Sequence, residues 1–196
     1  MYKTVVIIGL AHNGTTMLTG IFECLGVPMG ENVLRMAWED QDFRWAIKAG
    51  ERELVEFVEL RNAQYDIWGV KHVGLSGRLE LLNRVLREPV FFFIMKDPIS
   101  VAQRRFGAVD EPPFIDRVAV AIERMGDTTR LIKASAVPVH LLSYTHAVTK
   151  PRAFVEQVAC LSGLSPSPQQ IEAAVSFISP NTTGNWREPY PQVVRS

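Results

Sequence analysis

The chain has 196 residues, of which 47% are apolar and 21% charged, and its formal net charge is zero. This length suits one domain, and the neutral balance argues against a broad basic surface for nucleic acid while leaving room for a local basic pocket. The apolar run near the N-terminus covers only about seven residues, too short for a membrane span, and no signal-peptide cleavage region follows, so we expect a cytoplasmic protein. Cys24 and Cys160 each fall in an apolar helical pattern, which predicts two buried thiols in a reducing compartment.

Strand patterns and helix patterns alternate along the chain. The β-branched run at residues 4–8 lacks polar alternation and predicts a strand buried on both faces. Further strands are predicted at 66–70, 90–95 and 137–144, and helices at 15–25, 40–62 (two short helices broken at Gly50), 75–86, 115–132, 151–161 and 168–178. This alternation predicts a single α/β domain over 1–196 with a mostly parallel sheet, and an irregular segment at 179–196.

The stretch GLAHNGTT, residues 9–16, joins the first predicted strand to the first predicted helix. It has the outline of the phosphate-binding motif GxxxxGK[ST], but Thr15 stands where ATPases have lysine. Unpaired backbone N–H groups at a helix N-terminus bind an anion without that lysine, whereas transfer of a γ-phosphate gathers charge that Lys and Mg²⁺ neutralise. The stretch therefore predicts an anion site, with a plain strand-to-helix turn as the alternative.

The segment GLAHNGTTML resembles the 5′-phosphosulfate loop of sulfotransferases, G-x-P-[R/K]-S-G-T-[T/S]. Gly14, Thr15 and Thr16 match the motif, while His12 falls at its basic residue and Asn13 at its serine. In that family the loop holds the 5′ end of 3′-phosphoadenosine 5′-phosphosulfate (PAPS), and no ATPase-type lysine follows the glycine. The resemblance implies that these five residues bind the cofactor.

A second segment, FFFIMKDPISVAQRR, resembles the family's strand followed by R-D-P and, farther on, a serine. Lys96 matches the basic residue that contacts the 3′-phosphate of the cofactor in the family. Arg104 falls where the serine is expected, and arginine is a strong, bidentate phosphate ligand. The alternative is that both side chains are solvated charges on a helix.

Three more segments resemble the family in the same order: GVPMGENVLRMAWEDQDF, SYTHAVTKPRAFVEQVACLSGL and NTTGNWREPY. Thr145 and His146 stand where an acidic pair is normal, and Trp186 with Arg187 matches a C-terminal motif in which the tryptophan can stack on adenine. The resemblance runs from about residue 3 to residue 190 and is greatest to short bacterial sulfotransferases. It implies a three-layer α/β/α, P-loop NTPase-like fold whose segment 179–196 folds back toward the cofactor site.

The resemblance also assigns catalytic roles. The loop's basic residue stabilises negative charge on the oxygen that bridges sulfate and 5′-phosphate, and this role falls to His12. Its free pKa is about 6.5, and an anionic nucleotide would raise it. A carboxylate base is usual in bacterial relatives, and Glu39 is the best positional match, with Asp40 and His72 as alternatives. Lys71 matches a family lysine at the end of a strand.

The resemblance thus implies a sulfotransferase that moves a sulfuryl group from PAPS to a hydroxyl or amine of a small molecule or glycan, with PAP (3′,5′-ADP) as product and no metal. One alternative is a PAP- or PAPS-binding protein without activity, because His12, Asn13 and Arg104 depart from the family pattern. Another is a P-loop nucleotide kinase, which needs a lysine after Gly14 and a Mg²⁺ site.

Overall fold

The structure is a computed structural model that describes residues 2–34, 38–103 and 112–178. Its strands are β1 (Lys3–Gly9), β2 (Val33–Leu34), β3 (Glu39–Asp40), β4 (Ile67–Val73), β5 (Pro89–Met95) and β6 (Val139–Ser143). The main sheet has the order β4-β1-β5-β6 and every pairing in it is parallel, while β2 and β3 form a separate antiparallel ribbon.

Helices cover the sheet. They are α1 (Thr15–Cys24), α2 (Gln41–Ala49), α3 (Glu51–Gln64), α4 (Leu79–Val85), α5 (Pro98–Gln103), α6 (Phe114–Ala134), α7 (Tyr144–Thr149), α8 (Pro151–Ser162) and α9 (Pro168–Ile178), with a 3₁₀ turn at Leu75–Arg78. None of the helices in the described ranges is long and apolar enough to cross a membrane.

The continuous apolar run of β1 follows from its central position. Val5 and Ile7 pack in the core formed with α1, α8 and α9, whereas Val6 and Ile8 face the core formed with α2, α3 and α4. Because both faces are covered, every side chain of the run is apolar instead of alternating. The predicted α/β fold with a parallel sheet between two helical layers is confirmed.

Local differences from the sequence expectations have simple causes. The strand predicted at 66–70 continues to Val73, because its polar Lys71 and His72 still pair with β1. The ribbon β2–β3 has only two residues per strand, and α5 and α7 have six residues each, too short for a periodic signal.

The two cysteines differ, and the prediction for Cys160 was wrong. Cys24 is buried in α1, and burial together with neighbouring Glu23 raises the pKa of its thiol to about 11. Cys160 is exposed on α8. The buried stripe of that helix runs through residues 154, 155, 158, 159 and 162, and residue 160 lies beyond its edge.

Candidate functional site

The strand order defines where a ligand would bind. From β1 the chain leads to β4 on one side, and from β5 it leads to β6 on the opposite side. The two connections therefore diverge at the carboxyl ends of β1 and β5, where this topology predicts a crevice. Such divergence points are where open parallel sheets bind ligands.

The loop between β1 and α1 lies at this crevice and has a left-handed backbone at two positions. Gly14, the residue before α1, has φ 96°, and His12 has φ 70°. A Cβ atom added at Gly14 would lie 2.5 Å from Cδ2 of Tyr144, so the position also lacks space for a side chain. Glycine is needed here both for conformation and for this close approach.

Asn13 is the most informative side chain of the loop. It is 0% exposed, yet neither its amide nitrogen nor its amide oxygen has a hydrogen-bond partner among the described residues. Buried polar groups are normally paired, and an unpaired one costs free energy. Next to it, no side chain caps the start of α1, where Thr15 is buried and Thr16 half-buried. The loop thus presents donors that an anion would satisfy.

Lys96 lies at the carboxyl end of β5, on the other side of the crevice. Its Nζ is 4.6 Å from the ring centroid of Tyr144, the same ring that packs against Gly14. This contact brings the predicted 3′-phosphate residue to the predicted 5′-phosphate loop. The next residue, Asp97, accepts a hydrogen bond from the backbone N–H of Ser100 at 2.8 Å and so caps the start of α5.

Three of the predicted site residues cannot be placed. Arg104, Trp186 and Arg187 lie outside the described residues, as does the segment 179–196.

A cleft of about 50 Å³ adjoins the loop on the side of α6. Leu10 and Ala11 of the loop form one wall, and Arg117 and Arg124, seven residues apart on one face of α6, line the other. Their guanidinium groups add positive charge beside the loop, which favours an anionic ligand there.

The carboxyl end of β4 carries a second polar cluster, defined by Glu39, Lys71 and His72. Glu39 Oε1 accepts a hydrogen bond from the backbone N–H of Val73 at 3.1 Å and lies 3.6 Å from Lys71 Nζ. His72 Nδ1 makes a short contact with the Val73 carbonyl oxygen. β1 and β4 pair in parallel, with Gly9 opposite Val73, so this cluster lies at the same edge of the sheet as the loop.

Burial governs the charges of this cluster. It lowers the pKa of Lys71, an effect that the neighbouring Glu39 carboxylate opposes. It also lowers the pKa of His72, so that the neutral imidazole is favoured. Glu39 and Lys71 are both buried. The Lys71 ammonium group and the Val73 backbone N–H offset the cost of burying the Glu39 carboxylate.

Asp40, the alternative base, has a structural role. Its side chain accepts hydrogen bonds from the backbone N–H groups of Asp42 and Phe43 and thereby caps α2. Its other oxygen lies 2.7 Å from Arg61 Nη2. Burial raises the pKa of Asp40, and Arg61 partly opposes that rise. Sequence reasoning missed Arg61, since no periodic pattern distinguishes a buried arginine from a solvated one.

Comparison with known proteins gives the class of this fold. No family model matches the sequence, and no curated protein matches it. The three-dimensional fold is that of the sulfotransferases, which confirms the predicted resemblance at the level of the fold.

Three solved structures illustrate the likeness. The sulfotransferase domain of the Synechococcus PCC 7002 olefin synthase superposes with a TM-score of 0.56 at 13% identity, covering 91% of this chain and 81% of that one. The sulfotransferase domain from the curacin biosynthetic pathway superposes with a TM-score of 0.58 at 13% identity, covering 93% of this chain and 86% of that one. Mouse sulfotransferase SULT7A1 complexed with PAP gives 0.60 at 9% identity, with 90% of this chain covered but only 65% of the mouse chain.

Proposed function

We propose that this chain is a sulfotransferase that moves a sulfuryl group from PAPS to a hydroxyl or amine of a small molecule or glycan. The observation that carries the proposal is the fully buried amide of Asn13, which has no partner among the described residues, beside the left-handed Gly14 in a chain with the sulfotransferase fold. A polar group buried without a partner is explained when a bound ligand supplies that partner.

The residues at the crevice fit an anionic nucleotide. The backbone N–H groups from Gly14 to Thr16 would hold the 5′-phosphate at the positive end of α1, since the Asn13 N–H already donates to the Leu10 carbonyl oxygen at 3.3 Å. Lys96 would hold the 3′-phosphate from the neighbouring strand end. Arg104, Trp186 and Arg187 belong to the same proposal through the sequence resemblance alone. Bound there, PAPS would supply an activated sulfuryl group.

The proposed chemistry assigns the proton to Glu39. As the acceptor oxygen forms its bond to sulfur, its proton passes to the Glu39 carboxylate, and the bond from sulfur to the 5′-phosphate oxygen breaks. Oε1 is already occupied by Val73 N–H and Lys71, so Oε2 would take the proton. His12, exposed at the mouth of the loop, would donate to the departing oxygen and stabilise its charge.

His72 is the second candidate for the base. Because burial lowers its pKa, it is neutral at pH 7 and able to accept a proton. Its Nδ1 lies against a carbonyl oxygen, which requires the proton on Nδ1 and leaves Nε2 as the basic nitrogen. Nε2 is buried without a partner among the described residues, as a base awaiting its substrate would be.

A thermal-shift panel followed by a transfer assay tests the proposal. Stabilisation by 3′,5′-ADP, with none by ATP and Mg²⁺, is expected. Release of radiolabelled sulfate from PAPS to an acceptor in a hydroxyl and amine screen would then establish transfer. Binding of 3′,5′-ADP with no transfer to any acceptor would favour the non-catalytic alternative, and stabilisation by ATP and Mg²⁺ alone would refute both.

A further inference from the structure

Asp40 is held from two directions. It is 1% exposed, and its Oδ1 accepts hydrogen bonds from the backbone N–H groups of Asp42 at 2.9 Å and Phe43 at 3.4 Å. Its Oδ2 accepts a hydrogen bond from Arg61 Nη2 at 2.7 Å. The start of α2 and the side chain from α3 therefore fix both carboxylate oxygens.

Arg61 is itself fixed by several contacts. It is 6% exposed, and its Nη1 lies 2.6 Å from Glu31 Oε1, which also accepts a hydrogen bond from the Tyr65 hydroxyl at 2.8 Å. Its guanidinium carbon lies 5.2 Å from the ring centroid of Phe57. The planar guanidinium thus bridges two carboxylates while it packs over an aromatic ring, an arrangement that lysine cannot reproduce.

The backbone around Glu39 is held by a short ribbon. β3 consists of Glu39 and Asp40 and, within the described residues, pairs with the two residues of β2, while the Glu39 carbonyl oxygen accepts a hydrogen bond from Gln41 Nε2 at 3.0 Å. Adjacent side chains on a strand point to opposite faces. With Asp40 fixed toward α3, the Glu39 side chain is directed to β4, where its Oε1 meets the Val73 N–H at 3.1 Å.

We infer that Arg61 is a positioning residue for Glu39, acting through Asp40, and that the pair Arg61–Asp40 sets the geometry of the base. This inference rests on the proposed function, in which Glu39 accepts the proton of the acceptor. In the proposed reaction, Arg61 does not touch the reacting atoms. It holds the short strand β3 so that the neighbouring carboxylate reaches the carboxyl end of β4.

Other charges near Glu39 act separately from Arg61. On β4, Lys71 contacts the Glu39 carboxylate directly and His72 lies beside it. From α2, Arg44 is close enough to influence His72. The ion pairs formed by Arg61 are with Asp40 and Glu31. A change at Arg61 should therefore reach Glu39 through the position of β3.

Two conservative variants test this inference without leaving a buried charge unpaired. Asp40→Asn keeps the cap of α2, since Asn and Asp cap helices equally well, and leaves Arg61 paired with Glu31. Arg61→Lys keeps the positive charge, but its single ammonium group lacks the geometry to bridge Asp40 and Glu31 as the guanidinium does. Arg52→Lys is the matched control, because Arg52 lies on the same helix, pairs with Glu53 and is exposed.

The readout is the amide proton shift of Val73, measured by nuclear magnetic resonance at one pH near neutrality. The hydrogen bond to the Glu39 carboxylate contributes to this shift, so Glu39→Gln should displace it. We expect Arg52→Lys to keep the wild-type shift and both Arg61→Lys and Asp40→Asn to displace it in the same direction as Glu39→Gln, while the dispersed spectrum shows that each variant folds. A wild-type shift in either of the two variants would overturn the inference.

Turnover gives the second readout and separates this inference from the proposed function. Arg61→Lys should lower kcat for sulfate transfer by about 10-fold, as for a misplaced base, with 3′,5′-ADP affinity unchanged. An equal loss in kcat and in 3′,5′-ADP affinity would indicate a general structural role instead. If the wild-type protein transfers no sulfate, the proposed function fails, and the Val73 measurement still decides whether Arg61 positions Glu39.

Discussion

Two buried polar side chains at neighbouring strand ends differ in their partners. At the end of β1, Asn13 is buried with both amide atoms unpartnered among the described residues. At the end of β4, Glu39 is buried with a backbone N–H and an ammonium group as partners, although Nε2 of the adjacent His72 has none among the described residues. A ligand could supply the partners that the Asn13 amide lacks, whereas the Glu39 carboxylate already has partners in the protein.

This difference separates binding from catalysis in the proposed mechanism. A buried polar group without a partner raises the free energy of the empty protein. A ligand that pairs with the group removes this cost, so the group favours binding. A carboxylate held by its own partners costs no reorganisation during the reaction, so it favours turnover. Substitutions at the end of β1 should therefore change affinity, and substitutions at the end of β4 should change kcat.

The largest effect is expected for Glu39→Gln. Loss of a general base lowers turnover by about 10²- to 10⁴-fold, while 3′,5′-ADP binding should be nearly unchanged because Glu39 lies outside the loop. Steady-state kinetics of sulfate transfer from PAPS, together with calorimetry of 3′,5′-ADP binding, measures both. Glu53→Gln, at a surface ion pair on α3, is the control and should leave both values as they are. Normal turnover of Glu39→Gln would move the base to His72.

His12 is an exception to this division between affinity and turnover, because it lies in the loop after β1 but is proposed to act on turnover. His12→Ala should lower kcat by about 10²-fold with a small change in 3′,5′-ADP affinity, as for a donor that acts mainly in the transition state. His12→Lys should keep activity and retain it to higher pH than wild type, since lysine stays charged to higher pH than histidine. Normal turnover of His12→Ala would instead leave Asn13 or Thr15 and Thr16 as the donors.

Lys96 should affect affinity alone. Lys96→Ala is expected to weaken 3′,5′-ADP binding by roughly 1.5–3 kcal/mol, the range for a charge-assisted hydrogen bond, and to leave 5′-AMP binding unchanged because that nucleotide lacks the 3′-phosphate. Calorimetry with both nucleotides measures the difference. Equal losses would show that Lys96 acts through its contact with Tyr144 and the shape of the loop.

Asn13→Ala tests the role of the buried amide directly. Because the side chain makes no hydrogen bond among the described residues, its loss should change the free energy of unfolding of the empty protein by less than about 1 kcal/mol. The affinity for 3′,5′-ADP should fall by about 1 kcal/mol, the net value of one hydrogen bond. Denaturant unfolding with and without 3′,5′-ADP measures both quantities. A large loss of stability in the empty protein would show that Asn13 supports the fold.

The sequence predicts the end of β1 better than the end of β4, for a physical reason. The loop is continuous in sequence, so strand, glycine and helix start can be recognised together. The cluster at β4 joins Glu39 to Lys71 and His72, more than thirty residues away, through the ribbon β2–β3. The family resemblance predicts Glu39. Its hydrogen bond with the Val73 N–H and the contact between Arg61 and Asp40 are tertiary contacts, which leave no periodic pattern in the sequence.

The last expected effect is a pH dependence of stability at the end of β4. Burial lowers the pKa of His72 from 6.5, so near pH 6 the unfolded chain binds a proton that the folded protein does not. The stability from the neutral, buried imidazole is therefore complete above pH 6.5 and is lost as the pH falls through the lower folded value, with a slope of at most about 1.4 kcal/mol per pH unit.

His72→Gln should remove this slope, which urea unfolding between pH 7 and pH 5 measures as the difference from wild type. Because the Glu39 carboxylate partly opposes the lowering of the His72 pKa, Glu39→Gln should extend the loss to lower pH. Identical pH dependence in wild type and His72→Gln would mean that His72 takes up its proton in the folded protein as readily as in the unfolded chain. His72 would then make no contribution to the pH dependence of stability, and the test of the base at the end of β4 would rest on the turnover of Glu39→Gln.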